Sequence, residues 1–190
     1  RHLDALRMAP IRGMQVFGDA GGRLGFSAYD TGVAELGWIV ESSLMACEFW
    51  ESAKRQGNLT LLCPARPESL AFSPDAATLG LADGSVLSGR LLVGADGRDS
   101  WVRQAAGLVA VSTPYGEKGV VANLETERPH RQIALQWFRD DGVLAWLPLP
   151  GNRISIVWST PDEHADELCA LPGDAFCDRV ADAGARMLGQ

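Results

Sequence analysis

The chain has 190 residues, room for one domain or parts of two, and its 46% apolar and 22% charged content suits a globular protein. A net charge of −7 argues against a nucleic-acid surface. No apolar run approaches the ~20 residues of a membrane-spanning helix, and Arg1-His2-Leu3-Asp4 lacks the apolar stretch of a signal peptide.

In chain order, strands are expected at 11–17 and 23–26, joined into a hairpin by Gly18-Asp19-Ala20-Gly21-Gly22. Residues 31–35 read as loop and 36–40 as a further strand. Glu41-Ser42-Ser43 opens a helix in which Met45, Phe49 and Ala53 recur at i, i+4 and i+8. Gly57 suits its C-terminal cap. A strand is expected at 59–63, stopped by Pro64, and a strand pair at 69–73 and 78–82 around Pro74-Asp75. Asp83-Gly84 marks a hairpin turn leading into 86–93.

The stretch 91–103 concentrates the chemistry. Leu91-Leu92-Val93 reads as a strand buried on both faces, and Asp96-Gly97 breaks it. Ser100 can then N-cap a helix that starts at Trp101. An acid at the end of a strand, followed by glycine and a helix start, can hold a polar ligand. Backbone N–H groups are free there, and the carboxylate accepts hydrogen bonds from hydroxyls.

After Gly107 the chain becomes β-rich. Strands are expected at 119–127, around Ile133, Leu135 and Trp137, at 143–147, and around Ile154, Ile156 and Trp158. Their alternation suggests an antiparallel sheet with one covered face. Pro161-Asp162-Glu163 opens a helix, and Leu171-Pro172-Gly173 breaks it. Asp174 starts a second amphipathic stretch with Phe176, Val180 and Met187 on one face. The fold class expected is α/β (α+β).

The run Gly94-Ala95-Asp96-Gly97, followed by Ser100 and Arg103, resembles the Asp-Gly motif of the class A flavoprotein aromatic hydroxylases. Residues 121–130, Leu147-Pro148-Leu149-Pro150 and Val157-Trp158-Ser159 resemble the ubiquinone-biosynthesis branch of that family. The likeness covers roughly residues 10–171. It implies part of an FAD-binding Rossmann-like domain with an accessory β-meander at 39–108. It also implies a mainly antiparallel substrate-domain sheet with helices at 1–38 and 109–190. The implied activity is ring hydroxylation of a polyprenylated phenol with FAD, NAD(P)H and O₂, in the cytoplasm or at the inner-membrane surface. A Gly-x-Gly-x-x-Gly turn and a late Gly-Asp-Ala-Ala-His segment, expected of the family, do not occur. The chain is therefore expected to be the middle of a longer protein.

The resemblance implies that Asp96, Gly97, Ser42 and Arg103 contact the cofactor. Ser42 stands where the family often carries an arginine or amide, and a plain N-cap is the competing reading. For Arg103 the competing reading is a surface ion pair. Asp99 reads as a helix-entry acid. No catalytic acid or base is assigned: His130 reads as a solvated loop residue and His164 as an exposed helical one. Trp137, Trp146 and Trp158 read as sheet core, with an apolar substrate pocket as the alternative. Cys47, Cys63, Cys169 and Cys177 lack metal-type spacing and read as reduced structural thiols. Alternative functions are a non-catalytic binding or assembly module, associating with ubiquinone-pathway proteins or a lipid, and a related halogenase or prenyl reductase.

Overall fold

A computed structural model describes residues 7–189, so Arg1-His2-Leu3-Asp4 lies outside the described residues. The chain divides into two compact units, residues 1–52 with 114–190, and Ala53–Thr113. The elements begin with β1 (Met8–Ile11), β2 (Gly13–Phe17), β3 (Arg23–Ser27), α1 (Ala28–Thr31), β4 (Gly37–Val40) and α2 (Ser42–Lys54). The second unit carries β5 (Pro67–Phe72), β6 (Ala77–Leu81), β7 (Val86–Gly89) and α3 (Trp101–Ala105). The first unit resumes with β8 (Glu117–Glu125), β9 (Ile133–Arg139), β10 (Gly142–Leu149), β11 (Arg153–Pro161), α4 (Asp162–Ala170) and α5 (Gly173–Ala183).

The larger unit is built on a six-stranded sheet in the order β3-β2-β9-β10-β11-β8. Its four C-terminal strands are antiparallel, as their alternation indicates. The N-terminal hairpin joins them through a parallel pairing of β2 with β9. β1 and β4 form a separate antiparallel pair. β10 runs two residues beyond the expected stop. β9 pairs with it only as far as Trp146, so Pro148 lies where one side of the strand is already free.

One face of the sheet is the core. Leu144 and Trp146 on β10, and Ile154, Ile156 and Trp158 on β11, point the same way at period two and are buried. Ala165 and Leu168 of α4 and Val180 of α5 cover them. Each fully buried Leu or Ile contributes roughly 1.5–3 kcal/mol. The three tryptophans belong to this core. Trp137 stacks on Phe17 at 5.3 Å and meets Trp146 edge-on at 4.8 Å.

Both described histidine expectations are corrected. His130 is half-buried: its Nδ1 accepts the Gln132 N–H at 3.0 Å, and its Nε2 lies 2.9 Å from the carbonyls of Leu149 and Gly151. Nδ1 is thus the acceptor and Nε2 carries the hydrogen. The ring ties the start of β9 to the β10–β11 turn, beside two left-handed residues, Arg131 and Gln132. His164 is half-buried too, with its Nδ1 2.8 Å from the Thr160 hydroxyl and its ring edge-on to Trp158 at 5.4 Å. The four cysteines are unpaired and exposed, so none fills a core position.

In the second unit, β5, β6 and β7 form the expected meander. Asp83 closes its turn by accepting the Ser85 N–H at 2.9 Å and the Ser85 hydroxyl at 2.6 Å, and Gly84 supplies a φ of +83°. The strands expected at 59–63 and 91–93 do not form. Leu59, Leu62, Leu91 and Val93 are all exposed. An apolar run becomes a strand only where a neighbour takes up its N–H and C=O groups, and no described strand pairs with either run.

Candidate functional site

The Asp96 corner lies within the second unit. Beyond β7 the chain forms no regular element through Gly94. A side chain at Gly94 would press on Val102 Cγ1 at 2.9 Å, so its absence lets α3 pack against the incoming backbone. Gly97 then turns the chain at a φ of +89°. No atom lies within 4 Å of where its Cβ would be. Glycine is therefore required here by the backbone angle, and the space above it is open. The close packing contact of this corner is at Gly94 instead.

Ser100 caps α3, its hydroxyl oxygen accepting the Arg103 N–H at 3.0 Å. The same hydroxyl donates to Asp96 Oδ1 at 2.5 Å, while Asp96 Oδ2 accepts the Val102 N–H at 3.1 Å. The side chain of Asp96 is thereby fixed by two donors. The Ser100 hydroxyl first, then the Val102 amide, hold its carboxyl below the usual carboxylate range. It is exposed and ionised at neutral pH, and each oxygen keeps lone-pair capacity for a further donor.

The Arg103 side chain is half-buried, and its guanidinium makes no ion pair or hydrogen bond among the described residues. The surface ion pair considered from sequence is not formed. Asp99 lies 3.8 Å from Arg98, both largely exposed, as suits a residue at a helix entry.

Asp96, Gly97 and Arg103 thus share one corner. Ser42 belongs to the other unit. It occupies the first helical position of α2 rather than the cap, because the Glu41 carbonyl accepts the Met45 N–H at 3.1 Å. The neighbouring Glu41 carboxylate pairs with Arg7, whose guanidinium lowers its pKa. Ser42 is exposed.

Two residues of the corner carry more than sequence reasoning gave them. Ser100 orients Asp96 as well as capping the helix, a role signalled by its place four residues after the acid. Gly94 sets the helix approach, and nothing local signals this. The donor set suits a dinucleotide: a fixed carboxylate for hydroxyls, an open left-handed glycine, and an unpaired guanidinium for phosphate. No three-residue cluster of potential metal ligands occurs among the described residues. Among them, no helix is long and apolar enough to cross a membrane.

The chain is 39% identical over 141 residues to a ubiquinone hydroxylase, UbiL, of Rhodospirillum rubrum, a match covering 74% of this chain and 33% of that protein. It is 32% identical over 192 aligned positions to the mitochondrial ubiquinone biosynthesis monooxygenase COQ6 of Drosophila melanogaster, covering 98% of this chain and 40% of the relative. The chain therefore spans between a third and two fifths of the length of these curated relatives. A solved structure of PqsL, a probable FAD-dependent monooxygenase from Pseudomonas aeruginosa, superposes with a TM-score of 0.77 at 23% identity. That superposition covers 96% of this chain and 54% of PqsL, and it shows a shared fold. No protein-family model matches the chain. The sequence likeness over nearly the whole chain and the shared fold agree: the chain belongs to the ubiquinone-biosynthesis monooxygenases, a branch of the class A flavoprotein hydroxylases.

Proposed function

We propose that this chain is part of an FAD-dependent monooxygenase that hydroxylates the ring of a polyprenylated phenol in ubiquinone biosynthesis, using NAD(P)H and O₂. The observation that carries the reading is the Asp96 corner, in a chain whose relatives are named a ubiquinone hydroxylase and a ubiquinone biosynthesis monooxygenase. Residues 39–108 contribute to the FAD-binding domain, and 1–38 with 109–190 to the substrate domain. FAD supplies the redox chemistry when bound.

The chain's own residues bind and orient. Asp96 accepts hydrogen bonds from cofactor hydroxyls. Ser100 and Val102 already fix its carboxylate, so little ordering cost remains at binding. Gly97 keeps the approach clear of a side chain, and Arg103 balances phosphate charge. Ser42 offers a short hydroxyl at the start of α2. The prenyl tail of the substrate implies work at a membrane surface, by peripheral contact.

The test is a product assay on the full-length protein with FAD, NAD(P)H, O₂ and a polyprenylated phenol. A product heavier by one oxygen is expected. A flavin-loaded protein that consumes NAD(P)H but leaves every such phenol unchanged would contradict the substrate assignment. A protein that takes up no FAD would contradict the whole reading.

A further inference from the structure

Arg131 and Gln132, at the entry to β9, are consecutive non-glycine residues in the left-handed region, with φ of +53° and +61°. A Cβ makes this conformation unfavourable, and glycine would relieve it. The backbone here is firmly held. His130 Nδ1 accepts the Gln132 N–H at 3.0 Å, and the Gln132 carbonyl accepts the N–H groups of Arg12 at 2.8 Å and Gly13 at 3.4 Å. Those bonds use main-chain atoms of Gln132, which glycine would supply equally. The Arg131 side chain is exposed and makes no hydrogen bond or ion pair among the described residues. It therefore adds no polar contact that offsets the strain at its own backbone. Strain of this kind, left uncompensated in the fold, points to a use for the side chain.

Arg131 lines an open groove of about 490 Å³ where β2, β3 and the start of β9 meet, in the unit that does not contain Asp96. Arg12 lines it too. Its guanidinium lies 4.0 Å from Glu35 and its side chain is 59% exposed, so it keeps free donors. Phe26 and Ile133 give the groove apolar wall, and a Cβ on Gly25 would meet nothing within 4 Å. Asp30 shares the wall and Glu35 flanks Arg12, so the groove suits one negative charge and disfavours a dianion. The planar fork of a guanidinium matches a carboxylate. We propose that this groove is a second binding site, for a small molecule that joins a single carboxylate to an apolar body, with Arg131 as its main anchor.

The test is calorimetric titration of the full-length protein with benzoate. Benzamide, of the same shape but uncharged, and inorganic phosphate, an anion without an apolar body, are the comparisons. Benzoate should bind roughly tenfold more tightly than either. Arg131→Gly should weaken benzoate roughly tenfold, while its urea midpoint stays at or above that of the wild type. Gln132→Gly relieves the neighbouring strain but keeps the guanidinium, and it should bind benzoate as the wild type does. Equal affinity for benzoate and benzamide, or for benzoate and phosphate, would overturn the proposal. So would benzoate binding unchanged in Arg131→Gly or lost equally in Gln132→Gly. A lower urea midpoint in Arg131→Gly would also overturn it, by showing that the arginine serves the fold. Flavin content is read separately, so failure here leaves the cofactor reading untouched.

Discussion

At the scale of single residues, the Asp96 corner is a hydrogen-bond relay. Ser100 donates to the acid and accepts from the helix, so one hydroxyl serves both. Replacing Ser100 by alanine removes the cap and one of the two donors to the carboxylate together. The expected cost is about 1 kcal/mol of stability, read as a lower urea midpoint, accompanied by weaker FAD binding. Gly97→Ala places a Cβ at a φ of +89°. A loss of roughly 1–2 kcal/mol is expected even though nothing crowds the site, and the same urea titration checks it. Asp96-Gly97 was legible in the sequence because a turn demands particular residue types. Gly94 was not, because its reason is a packing contact with Val102 eight residues on. His130 was misread for the same cause: its partners at Leu149 and Gly151 lie about twenty positions away.

At the scale of elements, the β9–β10 hairpin shows how local charge and burial cooperate. Arg139 donates to Asp141 at 2.7 and 3.0 Å and to the Ala183 carbonyl at 2.9 Å, tying the hairpin to the end of α5. Its guanidinium also lies 5.5 Å from the Trp158 ring centre. Arg139 holds the Asp141 carboxyl below its ordinary value. A depressed folded pKa means that the pair's stabilisation is present above the unfolded value of about 3.9 and is lost as pH falls through the lower folded value. Wild type should therefore exceed Asp141→Asn by no more than about 1 kcal/mol at neutral pH. That gap should close below about pH 4. Urea unfolding followed by core tryptophan fluorescence across pH 2–7 measures it. Hairpins and helices were legible because turn residues and periodicity are local. The runs 59–63 and 91–93 were not, because a strand depends on a partner that a hydrophobic pattern cannot supply by itself.

At the scale of the molecule, the two units are built differently. The larger unit has the continuous core, in which tryptophans on three adjacent strands pack under α4 and α5. The smaller has the meander and the acid corner. Unit membership was only partly visible from sequence, since residues 1–52 rejoin 114–190 through the β2–β9 pairing across a long insertion. The family likeness pointed to the acid corner because its motif is a compact run, Gly94 to Arg103. The most direct measurement is the FAD dissociation constant of the full-length protein beside that of Asp96→Ala. Loss of a charge-assisted hydrogen bond should weaken FAD at least tenfold, with the fold retained by circular dichroism. Equal FAD affinity in the two proteins would show that this carboxylate serves only the turn.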